Sequence, residues 1–217
     1  MFLVLIASIW GIPFAAAQET HTFKIARIKY GGGGDWYSDE QSLVELLQFV
    51  GDQTLLDVAP REDVVELSSD KVFTFPYLYL TGHGNVRFTD LEATRLRRYL
   101  EGGGFLHIDD NYGLDRHIRR EMKKVFPDQE FVELPFSHPI FHAHYNFPNG
   151  LPKIHEHDGK PPQGFGLFYN NRLVVFYSYE SDLGDGWEPK AVHNVPDEKR
   201  LAALQMGANI LTYAMMQ

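Results

Sequence analysis

Two stretches of this sequence constrain the fold more than any other. YLYLTGHG (77–84) and GGGFLHIDD (102–110) each carry an apolar run without a polar face, closed by a glycine-rich or acidic turn. Strands apolar on both faces belong inside a parallel sheet. Between them, TDLEATRLRRYLE has Thr89 and Glu92 at capping-box spacing, and Gly102–Gly104 lie beyond its end. Leu96, Tyr99 and Leu100 make its apolar face. A strand–helix–strand unit of this kind crosses over right-handed and demands helices against the sheet, which predicts an α/β fold.

The remaining chain fits that frame. TFKIARIKY alternates Phe23, Ile25 and Ile28 with polar neighbours as a strand does. Ser38 and Gln41 have capping-box spacing, Asp39 and Glu40 suit the positive end of a helix, and Leu43, Val44, Leu46, Leu47 and Val50 form its apolar stripe before Gly51. DVVELS reads as a second strand and VFTFPYLYL as a third, with LDRHIRREMKKVF a helix and EFVELPF a strand after FLHID. Residues 137–164 are rich in His, Pro, Asn and Gly without a period, the mark of a long functional loop. GFGLFY and RLVVFYSY flank Asn170-Asn171 as a hairpin, and an amphipathic helix begins at Asp197 with Leu201, Leu204, Ala208 and Leu211 inward. The expected architecture is a three-layer α/β/α sandwich with a mainly parallel sheet, made mixed by its C-terminal β-hairpin. Without an internal repeat, residues 18–217 read as one domain.

The first 17 residues, MFLVLIASIWGIPFAAA, are uncharged and end with Ala15 and Ala17 at signal-peptidase spacing. They read as a cleaved signal peptide, which places the protein in the periplasm or outside the cell. Membrane association would then come only through an uncleaved N-terminus. The 20 basic and 29 acidic residues leave a net charge of −9, which argues against nucleic acid as a partner. Cysteine is absent, so disulfides, thiolate metal sites and a cysteine nucleophile are all excluded.

In parallel α/β sheets ligands bind beyond the carboxyl ends of the strands. Asp109, Asp110 and Asn111 end one strand there, as ligand-binding groups or as a cap for the next helix. His83 lies in the TGHG turn, as a general base or as a turn histidine bonded to a carbonyl. GGGGDWY lacks the third fingerprint glycine and any P-loop lysine, so it is no nucleotide loop. Asp35, Trp36 and Tyr37 are instead one candidate wall of a pocket. His142-x-His144 and His155-x-His157, with His138 nearby, offer nitrogen ligands for zinc, copper or iron, although loop histidines often bind nothing. In SDLGDGWE, Asp182 and Asp185 are expected at the same mouth as Asp109, with Trp187 as a cover; the alternative is an ordinary glycine-rich turn.

GGDWY, YLYLTGHGNVRFT, YLEGGGFLHIDD, SHPIF and SDLGDGWE together resemble an uncharacterised family of exported or membrane-attached bacterial proteins, over nearly the whole mature chain. That family is similar in turn to class I glutamine-amidotransferase-like domains, including the trehalose-utilisation type. The resemblance implies a flavodoxin-like, amidotransferase-like form of the sandwich, with Asp109 or Asp110 near the place of the nucleophilic cysteine. Tyr179-Glu180 would fall where the catalytic histidine and glutamate stand, but the histidine is missing. Because the chain has no cysteine, glutaminase chemistry is excluded. Three readings follow: an exported, non-catalytic domain that binds a small ligand (a polyol or carbohydrate) or a protein partner; a metal-dependent hydrolase using Asp109, Asp110 and the His138–His157 loop; and a structural subunit of an envelope assembly.

Overall fold

The structure is a computed structural model in which residues 22–217 are described; the expected signal peptide lies outside them. β1 (Ile25–Ile28), α1 (Ser42–Gln53), β2 (Asp63–Val65), β3 (Tyr77–Leu80), α2 (Asp90–Glu101), β4 (Phe105–Asp109) and α3 (Asp115–Val125) form the first half. The second half contains β5 (Val132–Glu133), β6 (Gln163–Tyr169), β7 (Arg172–Tyr179), α4 (Leu183–Trp187), α5 (Lys190–His193) and α6 (Asp197–Met215). They build one seven-stranded sheet in the order β2-β1-β3-β4-β7-β6-β5. β2, β1, β3, β4 and β7 are parallel, whereas β6 runs antiparallel to β7 and β5 to β6. The chain thus travels to the far edge after α3 and returns inward, so that β7 lies between β4 and β6.

Alternate strand residues feed two cores. Leu78, Leu80, Leu106 and Ile108 pack with Leu96 and Leu100 of α2 and Ile118 and Met122 of α3. Tyr77, Tyr79, Phe105 and Phe176 pack instead with α1, Leu183 and Trp187 of α4, and Ala203, Ile210 and Leu211 of α6. Both sheet faces are therefore covered by helices. Among the described residues no helix is long and apolar enough to cross a membrane.

The Thr89–Glu92 capping box forms as expected. Asn170 and Asn171 turn the β6–β7 hairpin with φ of 50° and 63°, the left-handed pair of a type I′ turn. Several expectations require correction. β3 is confined to Tyr77–Leu80, because Asp70–Thr74 coil into a 3-10 turn before Pro76. The strand expected in EFVELPF shrinks to Val132–Glu133. Ser38 does not open α1, and Gly51 lies inside it.

The true start of α1 is set from the other end of the chain. Oε1 of Glu188 accepts from the amides of Gln41 and Ser42 at 2.7 and 3.0 Å, in place of any side chain of the 38–41 turn. That turn is fixed by Arg27, a buried guanidinium in the otherwise apolar β1, which donates to the carbonyls of Ser38 (2.6 Å) and Asp39 (3.0 Å). Removal of a charged acceptor from two helix-terminal amides costs about 1–2 kcal/mol. Glu188→Ala is therefore expected to lower stability by that order in urea unfolding, with Glu188→Gln recovering part of the loss through its remaining carbonyl oxygen.

Candidate functional site

Asp109 and Asp110 leave the end of β4 toward different surroundings. Asp109 is fully buried. Its Oδ1 accepts from Ser178 Oγ (2.5 Å) and the Leu183 amide (3.2 Å), and its Oδ2 from the Gly184 amide (2.6 Å) and Tyr79 OH (3.3 Å). It thus caps a helix, but α4 rather than α3, whose N-cap Leu114 has no side-chain bond. Burial, then the Asp182 charge, push its pKa to about 8 against the pull of its donors. Asp110 accepts from Tyr177 OH (2.9 Å) and the Glu180 amide (2.8 Å), and stands 3.8 Å from His157 Nδ1. Asn111 donates to Oδ2 of Asp39 at 3.2 Å.

The turn after β7 is the centre of the site. Glu180 and Asp182 both hold φ of 56°, a left-handed backbone that side-chain-bearing residues adopt at a cost. The long loop is fastened to this turn. Ser181 Oγ donates to the Pro152 carbonyl (2.6 Å), and the Ile154 amide to the Ser181 carbonyl (3.0 Å). Lys153 Nζ and the Asp158 amide take the two carboxylate oxygens of Glu180 at 2.5 and 3.0 Å. These bonds bring His155 and His157 against α4.

There His157 Nε2 lies 2.8 Å from Asp182 Oδ2, and His155 Nδ1 lies 3.6 Å from the same oxygen and 2.8 Å from Asp185 Oδ2. His193 of α5 completes the group, with Nε2 3.2 Å from Asp185 Oδ1 and 3.8 Å from Asp39 Oδ1. Asp182 is only 1% exposed, and its Oδ1 is buried without a hydrogen-bond partner, as is His157 Nδ1. The carboxylates crowd one another. Burial, then Asp182, Asp185 and Asp109, lift Asp39 to about 9 against the opposing Arg27, and burial with Asp182 raises Asp185. Burial disfavours protonation of His157, but the neighbouring carboxylates of Asp110 and Asp182, the latter hydrogen-bonded to Nε2, prevail and raise it to about 10.

Three triads bring ligand atoms within 4.8 Å of one another among the described residues: His155, His157 and Asp182; Asp39, Asp185 and His193; and Asp110, His157 and Glu180. The last is the least apt, since Lys153 and the Asp158 amide engage Glu180. His157 also lines a cleft of about 350 Å³ with Asp110, Tyr112, Arg116, Lys160 and Tyr179.

The other expected ligands lie elsewhere. His138 accepts from the Ile140 amide and caps the 3-10 turn Pro139–Phe141. His142 has both ring nitrogens engaged, by Asn146 Oδ1 (2.7 Å) and the Phe136 carbonyl (2.8 Å). His144 is held against Tyr145, where Asn209 of α6 takes the backbone of both residues. The two H-x-H pairs therefore do not converge. Asp35 and His83 pair with each other, 2.9 Å apart, outside the acidic cluster. Trp36 packs on the α2–α3 core and Tyr37 is exposed. Trp187 is no cover: it is wholly buried, donates to the Ala203 carbonyl (2.8 Å) and rests on Tyr79 and His107. Asp39, read only as a complement to a helix dipole, joins the cluster, and His193 carries no sequence signal at all.

A seven-stranded α/β domain with a histidine–carboxylate cluster at the carboxyl edge of its parallel strands is the class these features define. The chain belongs to the family described as Domain of unknown function (DUF4159), whose model matches residues 24–215. No curated protein matches it.

Beneath the site, His107 is wholly buried with Nε2 2.9 Å from Ser178 Oγ, and burial lowers its pKa from 6.5 to about 3. A proton taken up by the unfolded chain below pH 6.5 is then refused by the native state until about pH 3. This residue alone removes about 1.4 kcal/mol of stability per pH unit across that window as pH falls. Urea titrations at pH 6.5 and 5 are expected to show wild type losing about 2 kcal/mol more than His107→Gln; equal losses would contradict a neutral buried imidazole.

Proposed function

We propose that the protein is a metal-dependent hydrolase of an exported, amidotransferase-like lineage, with a divalent transition metal held by His155, His157 and Asp182. The observation that carries this reading is Asp182. It is buried in a left-handed turn, one oxygen facing two histidines and the other without a partner. Buried carboxylates are paired or ligate metals. Two imidazoles and a carboxylate are a donor set that suits zinc or iron, and copper less strictly. Ligands of a single such ion stand about 3–4 Å apart, a spacing these side chains reach with small rotations.

Three protein ligands leave coordination positions open, and a bound ion supplies Lewis acidity and activates water at neutral pH. The chain's own groups do the rest. The Asp110 carboxylate stands 3.8 Å from the far nitrogen of His157, which leaves Nε2, beside Asp182, as the coordinating atom. His155 is 60% exposed, which keeps one side of the site open to solvent. Through His157 the site borders the cleft, whose lining sets Asp110, Asp115, Asp158 and Glu180 beside Arg116 and Lys160 and so suits a small polar substrate.

The strand order supports the lineage. β2-β1-β3-β4-β7 repeats the 2-1-3-4-5 sequence of flavodoxin-like sheets, with helices on both faces. Asp109, near the place of a nucleophilic cysteine, has both oxygens engaged by donors, which fits a domain without thiol chemistry. The uncharged N-terminal segment supports a periplasmic or secreted location.

Elemental analysis of untagged protein, after incubation with zinc, copper or iron and desalting, tests the reading. A stoichiometric ion is expected in wild type and in His142→Ala, with at least a tenfold weaker affinity in His157→Ala. Metal-free wild type, or an ion unaffected by His157→Ala, would refute it and leave the cleft as a binding site in a non-catalytic domain.

A further inference from the structure

We infer that the centre is dinuclear: a second divalent cation is held by Asp39, Asp185 and His193, and Asp182 spans the two ions. The inference rests on the metal centre proposed above and extends it.

The two triads adjoin. His155 of the first has its Nδ1 2.8 Å from Asp185 Oδ2 of the second. Asp185 divides its oxygens between the two histidines, Oδ2 toward His155 and Oδ1 toward His193 at 3.2 Å. The side chains of Asp39 and Asp185 are 4% and 6% exposed, so this is a walled position rather than a patch of surface acids.

Asp182 supplies the independent observation. Its Oδ2 is committed to the first triad, while its Oδ1 is buried with no donor. Asp182 Oδ2 and Asp185 Oδ2 both face His155 Nδ1, at 3.6 and 2.8 Å, so Asp182 adjoins the second triad. A carboxylate with one oxygen on one ion and the other on a second is how paired ions about 3.5–4 Å apart are joined.

Arg27's donors are directed at the Ser38 and Asp39 carbonyls, Ser42 Oγ and Glu62 rather than at the Asp39 carboxylate. That carboxylate meets Asn111 through Oδ2 and His193 through Oδ1, beside Asp185. Two ions side by side stabilise both the attacking and the leaving oxygen of a displacement, a capacity suited to ester or phosphoester substrates.

Manganese(II) titration monitored by electron paramagnetic resonance, with elemental analysis of the same samples, decides the matter. About two ions per chain and a spin-coupled spectrum are expected in wild type. His193→Gln and Asp39→Asn are expected to hold one ion with an uncoupled spectrum. His193 lies a third exposed on a four-residue helix, so its variant tests the site without disturbing the core; circular dichroism checks the fold of both. One ion in wild type, retained in His193→Gln and lost in His157→Ala, overturns the second site and leaves the first intact. No ion in wild type overturns both. A single ion that follows His193 and ignores His157 also overturns both.

Discussion

A single buried carboxylate, that of Asp109, ties the strands to the functional edge. Its oxygens accept from β3 through Tyr79, from β7 through Ser178, and from α4 through the Leu183 and Gly184 amides. The Leu183 and Gly184 amides at the start of α4 would otherwise be buried without a partner, a loss of about 1–3 kcal/mol apiece. α4 in turn carries Asp185 and begins at Asp182, so the position of the metal-ligating candidates depends on this one side chain. The fit is close: a Cβ on Gly184 would come within 2.8 Å of Asp39 Oδ2 and 3.1 Å of Asp109 Oδ2. Glycine is needed there because the carboxylates leave no room.

Two long-range ionic groups finish the frame. Arg27 anchors the turn that presents Asp39, and Glu188, just after α4, receives the first amides of α1. The apolar cores hold the sheet and helices together, but the edge that bears the histidine–carboxylate cluster is organised by polar groups with few alternatives open to them. The cluster keeps more buried acid than its bases can match, which is costly for stability and informative about purpose.

Local features were legible in the sequence. The Thr89 box, the Asn170-Asn171 turn and the start of α6 at Asp197 each rest on neighbours a few residues away. The α1 cap was not, because its acceptor is separated from Gln41 by 147 positions and nothing near Ser38 reveals it. The acidic end of β4 and the pair Asp182 and Asp185 were recognisable as chemistry at a sheet edge. The histidines were not separable by pattern: His142-x-His144 and His155-x-His157 look alike, and only the bonds from Ser181 and Glu180 to residues 152–158, against those from Asn209 to residues 144–145, decide which pair meets the carboxylates. Trp187 misled because its glycine-rich surroundings resemble a loop, whereas α4 carries it into the core.

The place of β7 in the sheet has a consequence for the order of assembly. Residues up to α3 can pair β2, β1, β3 and β4, but they leave β4 as an open edge. That edge closes only when the chain has passed through β5 and β6 and come back as β7, Arg172–Tyr179. Asp182, Asp185 and His193 all follow this strand. A chain that ends before β7 therefore lacks Asp182, Asp185 and His193 as well as the strand that seals the sheet: the histidine–carboxylate cluster is completed only by the segment that closes the β4 edge.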